Sequence, residues 1–245
     1  MLKIGVCAGH GLGTPGKQSP DGTKEWTYNN KVVKGFIAEM NTYQDVKVIR
    51  YDDPSGKRDV PLEERTDRAN KDKVDYYISF HENAFNTKAT GTETFTQEGV
   101  TNKATLDFAK VIHEATVKAM GLPNRGLKKD NFHITRETNM PACLVEGAFM
   151  DNKTDLKKLK DDKVLANAGK QAAVALAKFK KLKKKATPKP VEAIKPKPAA
   201  KPKEKLARVT VEGKQVGAFG SDYNVVQAVE KALKDGKKNI KIEEV

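Results

Sequence analysis

The chain has 245 residues, of which 38% are hydrophobic and 32% charged, and a formal net charge of +14. That length holds one ordinary α/β domain with something smaller appended. No apolar run approaches a membrane span, so membrane insertion is not expected. Cys7 and Cys143 both lie in apolar strand-like runs and make no disulfide framework. The opening Met1-Leu2-Lys3-Ile4-Gly5-Val6 reads as a strand. It has no basic segment followed by an apolar core and a small-residue cleavage site, so synthesis in the cytoplasm without a signal peptide is expected.

The distribution of charge decides what the excess is for. Lys180 to Lys205 holds eleven lysines against two glutamates, a local +9, while the last forty residues carry +1 and residues 1–179 carry +4. A nucleic-acid-binding protein would place its basic residues on a folded face among groove-reading or aromatic side chains, and that pattern is absent. Long-range attraction to an anionic polymer is the better use of this stretch.

In chain order, Lys3–Ala8 is an apolar run that ends in glycines. Tyr28, Val32, Val33, Phe36, Ile37 and Met40 recur at helical spacing. Val46–Tyr51 reads as a strand, and Pro61 stands at the start of a helix carrying Leu62, Arg65, Thr66 and Ala69. Asp75–Phe80 is a further strand with His81 just beyond it, and Gly91–Gln97 alternates as another. Phe108, Val111, Ile112, Ala115 and Ala119 mark a helix stopped by Gly121 and Pro123. Ala142–Val145 is a short buried strand ending at Glu146, and a last helix runs from about Asp162 to Leu182. Strands alternating with helices in this way predict an α/β fold, a mainly parallel twisted sheet with helices on both faces.

Residues 183–205 read as a linker, because prolines remove backbone donors and the lysines repel one another. They divide a domain over 1–182 from a small one over 206–245. In the latter, two β-runs flank Glu212-Gly213-Lys214, a hairpin signal, and are followed by a helix and a strand. A ββαβ module of this size has a small core, which makes self-association through it plausible on physical grounds.

Four residues carry the chemistry. In parallel sheets, sites form beyond the carboxyl ends of the strands, and His10, His81 and Glu146 each follow directly on an apolar run. His10 sits among Gly9, Gly11 and Gly13, while His81 is followed by Glu82, Asn83 and Asn86, where the strand reaches its polar end. Glu146 ends a buried run, where a carboxylate needs a partner or a function. Glu25 equally suits a first-turn glutamate favoured by the helix dipole. Two imidazoles and a carboxylate are the usual ligand set of a catalytic zinc, with a second carboxylate to take a proton from water, and Glu146 is available for that role. The chain has no HExxH signature.

Five segments appear in order: GVCAGHG at 5–11, TPGKQSPDGTKEW at 14–26, PLEERTDRAN at 61–70, ISFHENA at 78–84 and RETNMPACLVEGAFMDN at 136–152. Over roughly residues 2–182 the chain resembles the zinc-dependent N-acetylmuramoyl-L-alanine amidases of the amidase-3 family, in particular the bacteriophage and prophage endolysin type. The resemblance implies Zn2+ held by His10, Glu25 and His81, and a catalytic Glu146 opening the E-x-x-F-x-x-N stretch with Phe149 and Asn152. It also implies cleavage between the muramic acid lactyl group and L-alanine of the peptidoglycan stem peptide. Cys7-Ala8-Gly9 replaces the Asp-Pro-Gly of many members, and Glu82 stands where a small residue is more usual. Glu82 is either close support for the site or solvated. Cys7 is a lesser ligand candidate, His113 is expected on a helix surface, and His133 is expected near the substrate or at a sheet edge.

More loosely, the tail resembles the wall-binding modules of Bacillus phage amidases, which implies peptidoglycan and anionic wall polymers as partners. The chain is thus expected to act on the outer side of the membrane once that is breached. Two other readings stand beside this one: a non-catalytic wall-binding protein with an amidase-like fold, which would be expected to have lost one of the four site residues, and a nucleic-acid-binding protein, which rests on total charge alone.

Overall fold

The computed structural model describes residues 1–185, 207–219 and 222–244, and these fall into two units, Met1–Lys185 and Ala186–Val245. The segment Ala186–Leu206, which contains most of the expected linker, lies outside the described residues.

In the first unit, β1 (Leu2–Ala8) pairs in parallel with β2 (Val46–Arg50) on one side and with β3 (Tyr76–Asn83) on the other. Beyond β3 lies β6 (Ala142–Phe149), also parallel. Then come β4 (Thr92–Gln97), antiparallel to β6, and β5 (Asn124–Asp130), parallel to β4. The order is β2-β1-β3-β6-β4-β5. The expected mainly parallel sheet is present, with the reversed β4–β5 pair at one edge. β5 has no counterpart among the sequence expectations. Its Asn-Arg-Gly-Leu-Lys-Lys-Asp is largely exposed, and an edge strand needs no apolar alternation to pair.

Side chains of even and odd number point to opposite faces, as the pleat requires. Ile4, Val6, Ile78, Phe80, Cys143 and Val145 meet α1 (Glu25–Met40), α3 (Lys103–Met120) and α6 (Asp162–Phe179) in the larger core. Cys7, Tyr77, Ala142 and Leu144 form a second cluster with Ala69 of α2 (Leu62–Asp72) and Ile134 of α4 (His133–Arg136). The helix ends follow local chemistry. Asn102 and Asp161 accept the free N–H groups that open α3 and α6, and Gly121 closes α3 in a left-handed conformation at φ 62°. No described helix is long and apolar enough to cross a membrane.

Three expectations change. His81 and Glu146 lie inside their strands rather than beyond them: β3 and β6 support each other's ladder past the apolar residues, and the register places His81 opposite Glu146. His113 is buried, not on the surface, because its ring bridges Thr94 Oγ1 at 3.0 Å and Asn124 Oδ1 at 2.8 Å. The first unit continues through Lys183–Lys185, since Lys183 O accepts from Gln44 N and Lys185 N donates to Thr42 O.

The second unit consists of β7 (Ala207–Val211), β8 (Lys214–Phe219), α7 (Asp222–Lys234) and β9 (Ile240–Glu244), with an antiparallel sheet in the order β8-β7-β9. Glu212 and Gly213 both have positive φ, 50° and 78°, as a two-residue hairpin turn demands.

Candidate metal centre

The carboxyl ends of β1, β3 and β6 open on a cavity of about 240 Å³ lined by, among others, His10, Lys17, Glu25, His81, Glu82 and Glu146. His10 occupies the turn out of β1 with φ 64°, a left-handed conformation unusual for a side chain larger than glycine and one that marks stored strain. Arg65, fully buried on α2, holds that turn by donating to Ala8 O at 2.8 Å, His10 O at 3.3 Å and Asp59 Oδ1 at 3.0 Å. The preceding Gly9 is dictated by contact: a Cβ there would lie 2.1 Å from His81 Cε1.

Glu25 is the first residue of α1 and is almost wholly buried. Its Oε1 accepts from Asn29 Nδ2 at 3.2 Å and from the Glu82 backbone N–H at 3.1 Å, and lies 3.1 Å from His81 Nδ1. Its Oε2 lies 3.3 Å from His10 Nε2. The two imidazoles stand edge to face with centroids 4.9 Å apart. The far side of His81 is turned to Ser79, with Nε2 and Oγ 3.1 Å apart.

Electrostatics separate these groups. Burial, and then the neighbouring His81, bring the His10 imidazole down to about 4 against the pull of Glu25, which keeps it neutral. Burial pushes the Glu25 carboxyl up, but the hydrogen bond from His81, electrostatic interaction with the two imidazoles and the Glu82 N–H outweigh it, leaving it at about 2. Glu146 is pushed well above the usual carboxylate range by burial, then by the charges of Glu25 and Glu93, with Lys17 opposing. Its Oε2 is buried and has no hydrogen-bond partner. Glu82 is raised in the same way by burial and then by Glu146 and Glu25, and its Oε2 is also unpartnered. It is not a solvated residue: it packs beneath β6, where a Cβ on Gly147 would come within 2.8 Å of it.

The structure therefore brings His10, Glu25 and His81 together, each offering a donor atom within 4.8 Å of the others, with Glu146 in the same cavity. Cys7 lies outside the donor group: its Sγ is buried against Ser79 Oγ at 3.1 Å. His133 does not line the cavity and is not at a sheet edge. It begins α4, with Nε2 3.3 Å from Thr66 Oγ1. Four contributors were not singled out from sequence. Asn29 and Ser79 hold Glu25 and His81, and Arg65 holds the His10 turn. Glu93, opposite Glu146 in the ladder, is clamped by Arg125 and Lys128 and accepts from Asn83 at 2.7 Å.

The donor set fits a zinc ion. Two imidazoles and a carboxylate are the usual ligands of a catalytic zinc, and their donor atoms here lie within 4.8 Å of one another. The neutral His10, ionised Glu25 and unpartnered Glu146 oxygen are the states such a site uses.

Fold and donor set define a class: an α/β protein with a metal-competent pocket beside a carboxylate, at the carboxyl end of a mainly parallel sheet. The family model for N-acetylmuramoyl-L-alanine amidase matches residues 4–178, and the chain belongs to that family of peptidoglycan amidases. It is 34% identical over 187 residues to the N-acetylmuramoyl-L-alanine amidase CwlM of Bacillus licheniformis, covering 76% of this chain and 72% of that one. It is 33% identical over 184 residues to the endolysin of Bacillus phage SPP1, covering 73% and 66%. Among solved structures, the catalytic domain of the amidase CwlV from Bacillus (Paenibacillus) polymyxa var. colistinus superposes with a TM-score of 0.69 at 26% identity, over 75% of this chain and all of that one.

Proposed function

We propose that the chain is a zinc-dependent amidase of the endolysin type that cleaves the bond between N-acetylmuramic acid and L-alanine. In this reading His10, Glu25 and His81 are the zinc ligands and Glu146 is the general base. The observation that carries it is the convergence of the three donors within 4.8 Å beside the unpartnered Oε2 of Glu146. When bound, zinc supplies a polarised carbonyl and lowers the pKa of water to about 7.

The remaining work falls to the chain. Glu146 Oε2 takes the proton of the attacking water and delivers it to the departing L-alanine nitrogen, a transfer that suits a carboxyl of raised pKa. Asn29 and the Glu82 N–H fix the Glu25 carboxylate, and Ser79 fixes the rotation of His81. Arg65 holds the His10 turn, so the strained conformation is kept ready rather than formed on binding.

The endolysin assignment is supported by the similarity to the SPP1 endolysin and by the small second unit. We assign the first unit, extended through Lys185, the catalytic role, the segment 186–205 that of a linker and 206–245 that of a wall-binding module. A tethered module raises the local concentration of wall substrate, and the lysine-rich linker adds salt-sensitive attraction to anionic polymers.

The test is mass spectrometry of peptidoglycan digested by the wild-type chain, with zinc content measured beside it. Free lactyl-muramic acid and new L-alanine N-termini, with one zinc per chain, are expected. New reducing ends without amino groups would overturn the reading.

A further inference from the structure

The second unit leaves one edge of its sheet and one flank of its helix uncovered, and the two adjoin. In the order β8-β7-β9, no described strand pairs with the outer edge of β9. α7 packs mainly on β7 and β8, and Val209 of β7 is fully buried. The register sets Ile242 of β9 beside Val209, so both side chains point to the helix-covered face. Ile242 is nonetheless 52% exposed, because the helix lies over the other two strands.

The flank of α7 that borders this gap can be identified. Ala228 and Lys231 line a cavity with Val216 and Phe219, so their flank faces β8. Val226 and Leu233, two turns apart on one stripe, are rotated roughly 140–160° from those residues about the helix axis. They therefore lie on the β9 side, and both are about half exposed. Val226, Leu233 and Ile242 thus form an apolar strip beside the open edge.

The sequence of the edge selects its occupant. β9 reads Ile-Lys-Ile-Glu-Glu from Ile240. When two copies pair antiparallel about Ile242, each Ile242 meets its equivalent on the helix side. On the opposite face each Lys241 meets Glu243 of the second copy. Other registers fail. Centring on Lys241 or Glu243 sets like charges opposite one another, as does parallel pairing in register, and a one-residue slip puts the two helices on opposite faces. A lysine that ordinarily blunts a sheet edge is here matched by an acid. The β8 edge, Lys214–Phe219, has one lysine and no acid, and offers no such match. The apolar strip extends the contact beyond the five residues of the strand, toward the roughly 1,000 Å² that a stable interface needs.

We infer that a second copy of this chain docks on β9, joining two three-stranded sheets into one of six strands with both α7 helices on the same face. Such a pair presents every surface of the second unit twice to a repeating polymer.

The experiment is sedimentation equilibrium of the full-length chain over a dilution series, where a reversible monomer–dimer equilibrium is expected. Within one chain Lys241 and Glu243 form an exposed pair 2.7 Å apart, which contributes little to folding, so either can be reversed. Lys241→Glu alone and Glu243→Lys alone should each raise the dimer Kd about ten- to a hundredfold, because two attractive cross-strand pairs become repulsive. An equimolar mixture of the two variants should dimerise about as tightly as wild type, since a strand with two acids then meets a strand with two lysines. A role for these residues inside one chain would not produce that recovery. A wild-type chain that stays monomeric throughout, either variant dimerising like wild type, or a mixture no tighter than its components would overturn the inference.

Discussion

The two units spend their hydrophobic residues differently. The first surrounds its sheet with two clusters, and side chains such as Phe36, Phe80, Phe108, Ile112 and Leu176 have no exposure at all or nearly none. The second buries Val209, Val225 and Ala232, and leaves Val216, Val226, Leu233 and Ile242 each about half exposed. A large core tolerates local loss, and the first unit uses that tolerance. It keeps three carboxyl oxygens, on Glu82, Glu146 and Asp151, buried without partners and a histidine at positive φ, features that each cost on the order of 1–3 kcal/mol. The second unit has a smaller core and less to spare.

The sharpest way to break this contrast is at the costly group itself. Glu146→Gln removes the proton acceptor while relieving a buried carboxylate, so wall lysis should fall by about 10²–10⁴-fold. The melting temperature of the first unit should stay level or rise. Turbidity clearing, with a thermal melt on the same sample, measures both, and residual lysis near wild type would remove Glu146 from the mechanism.

Core truncation compares the units directly. Leu176→Ala should cost about 2–5 kcal/mol and leave the first unit folded. Val209→Ala removes less volume and costs about 1–2 kcal/mol. That is a large share of what a core of this size supplies, so the second unit should melt at ordinary temperature. Calorimetric scans of the full-length variants, following the two transitions, decide this. A second unit as resistant as the first would mean that something else covers its half-exposed residues.

What the sequence disclosed follows the same division between local and distant causes. The apolar runs before His10, His81 and Glu146 announced strands whose ends converge, and the sheet brings all three to one cavity. Glu25 could not be singled out from its surroundings, because Lys-Glu-Trp at a helix start looks the same with or without a task. Its meaning comes from His81 and the Glu82 N–H, both more than fifty positions away. His113 escapes the apolar pattern because its contact is polar: its ring meets Thr94 of β4, whose threonines 92, 94 and 96 are buried. Hydrophobic periodicity cannot mark such an interface. Glu93 was hidden for a related reason, since Arg125 and Lys128, which neutralise it, lie on the polar edge strand β5.

Separating the units tests whether the second acts through its surface. Removing residues 186–245 should leave hydrolysis of a soluble muramoyl peptide within about twofold of wild type, because the cavity is wholly in the first unit. Clearing of intact walls should fall by about 100-fold, the lower end of the range for losing a tether. An equal loss on both substrates would place the second unit in catalysis instead.

The smallest expected effect concerns how the first unit supports its own cavity. Asn152 accepts the Thr154 and Asp155 N–H groups that open α5 (Lys153–Leu159), and its Nδ2 lies 3.3 Å from Thr87 O. Asp151 holds the same loop by accepting from Phe85 N and Thr87 N. That loop leaves β3 directly after His81, Glu82 and Asn83, so one side chain ties a helix cap to the rim of the site. Asn152→Ala should cost about 1 kcal/mol of stability through the lost cap. It should also raise KM more than it lowers kcat, since the loop loosens while the donors around Glu25 keep their own hydrogen bonds. Steady-state kinetics on the soluble peptide, beside a melt, separate the two effects. A fall in kcat with KM unchanged would mean that the loop reaches the reacting atoms, and that the rim and the metal centre are one structure rather than two.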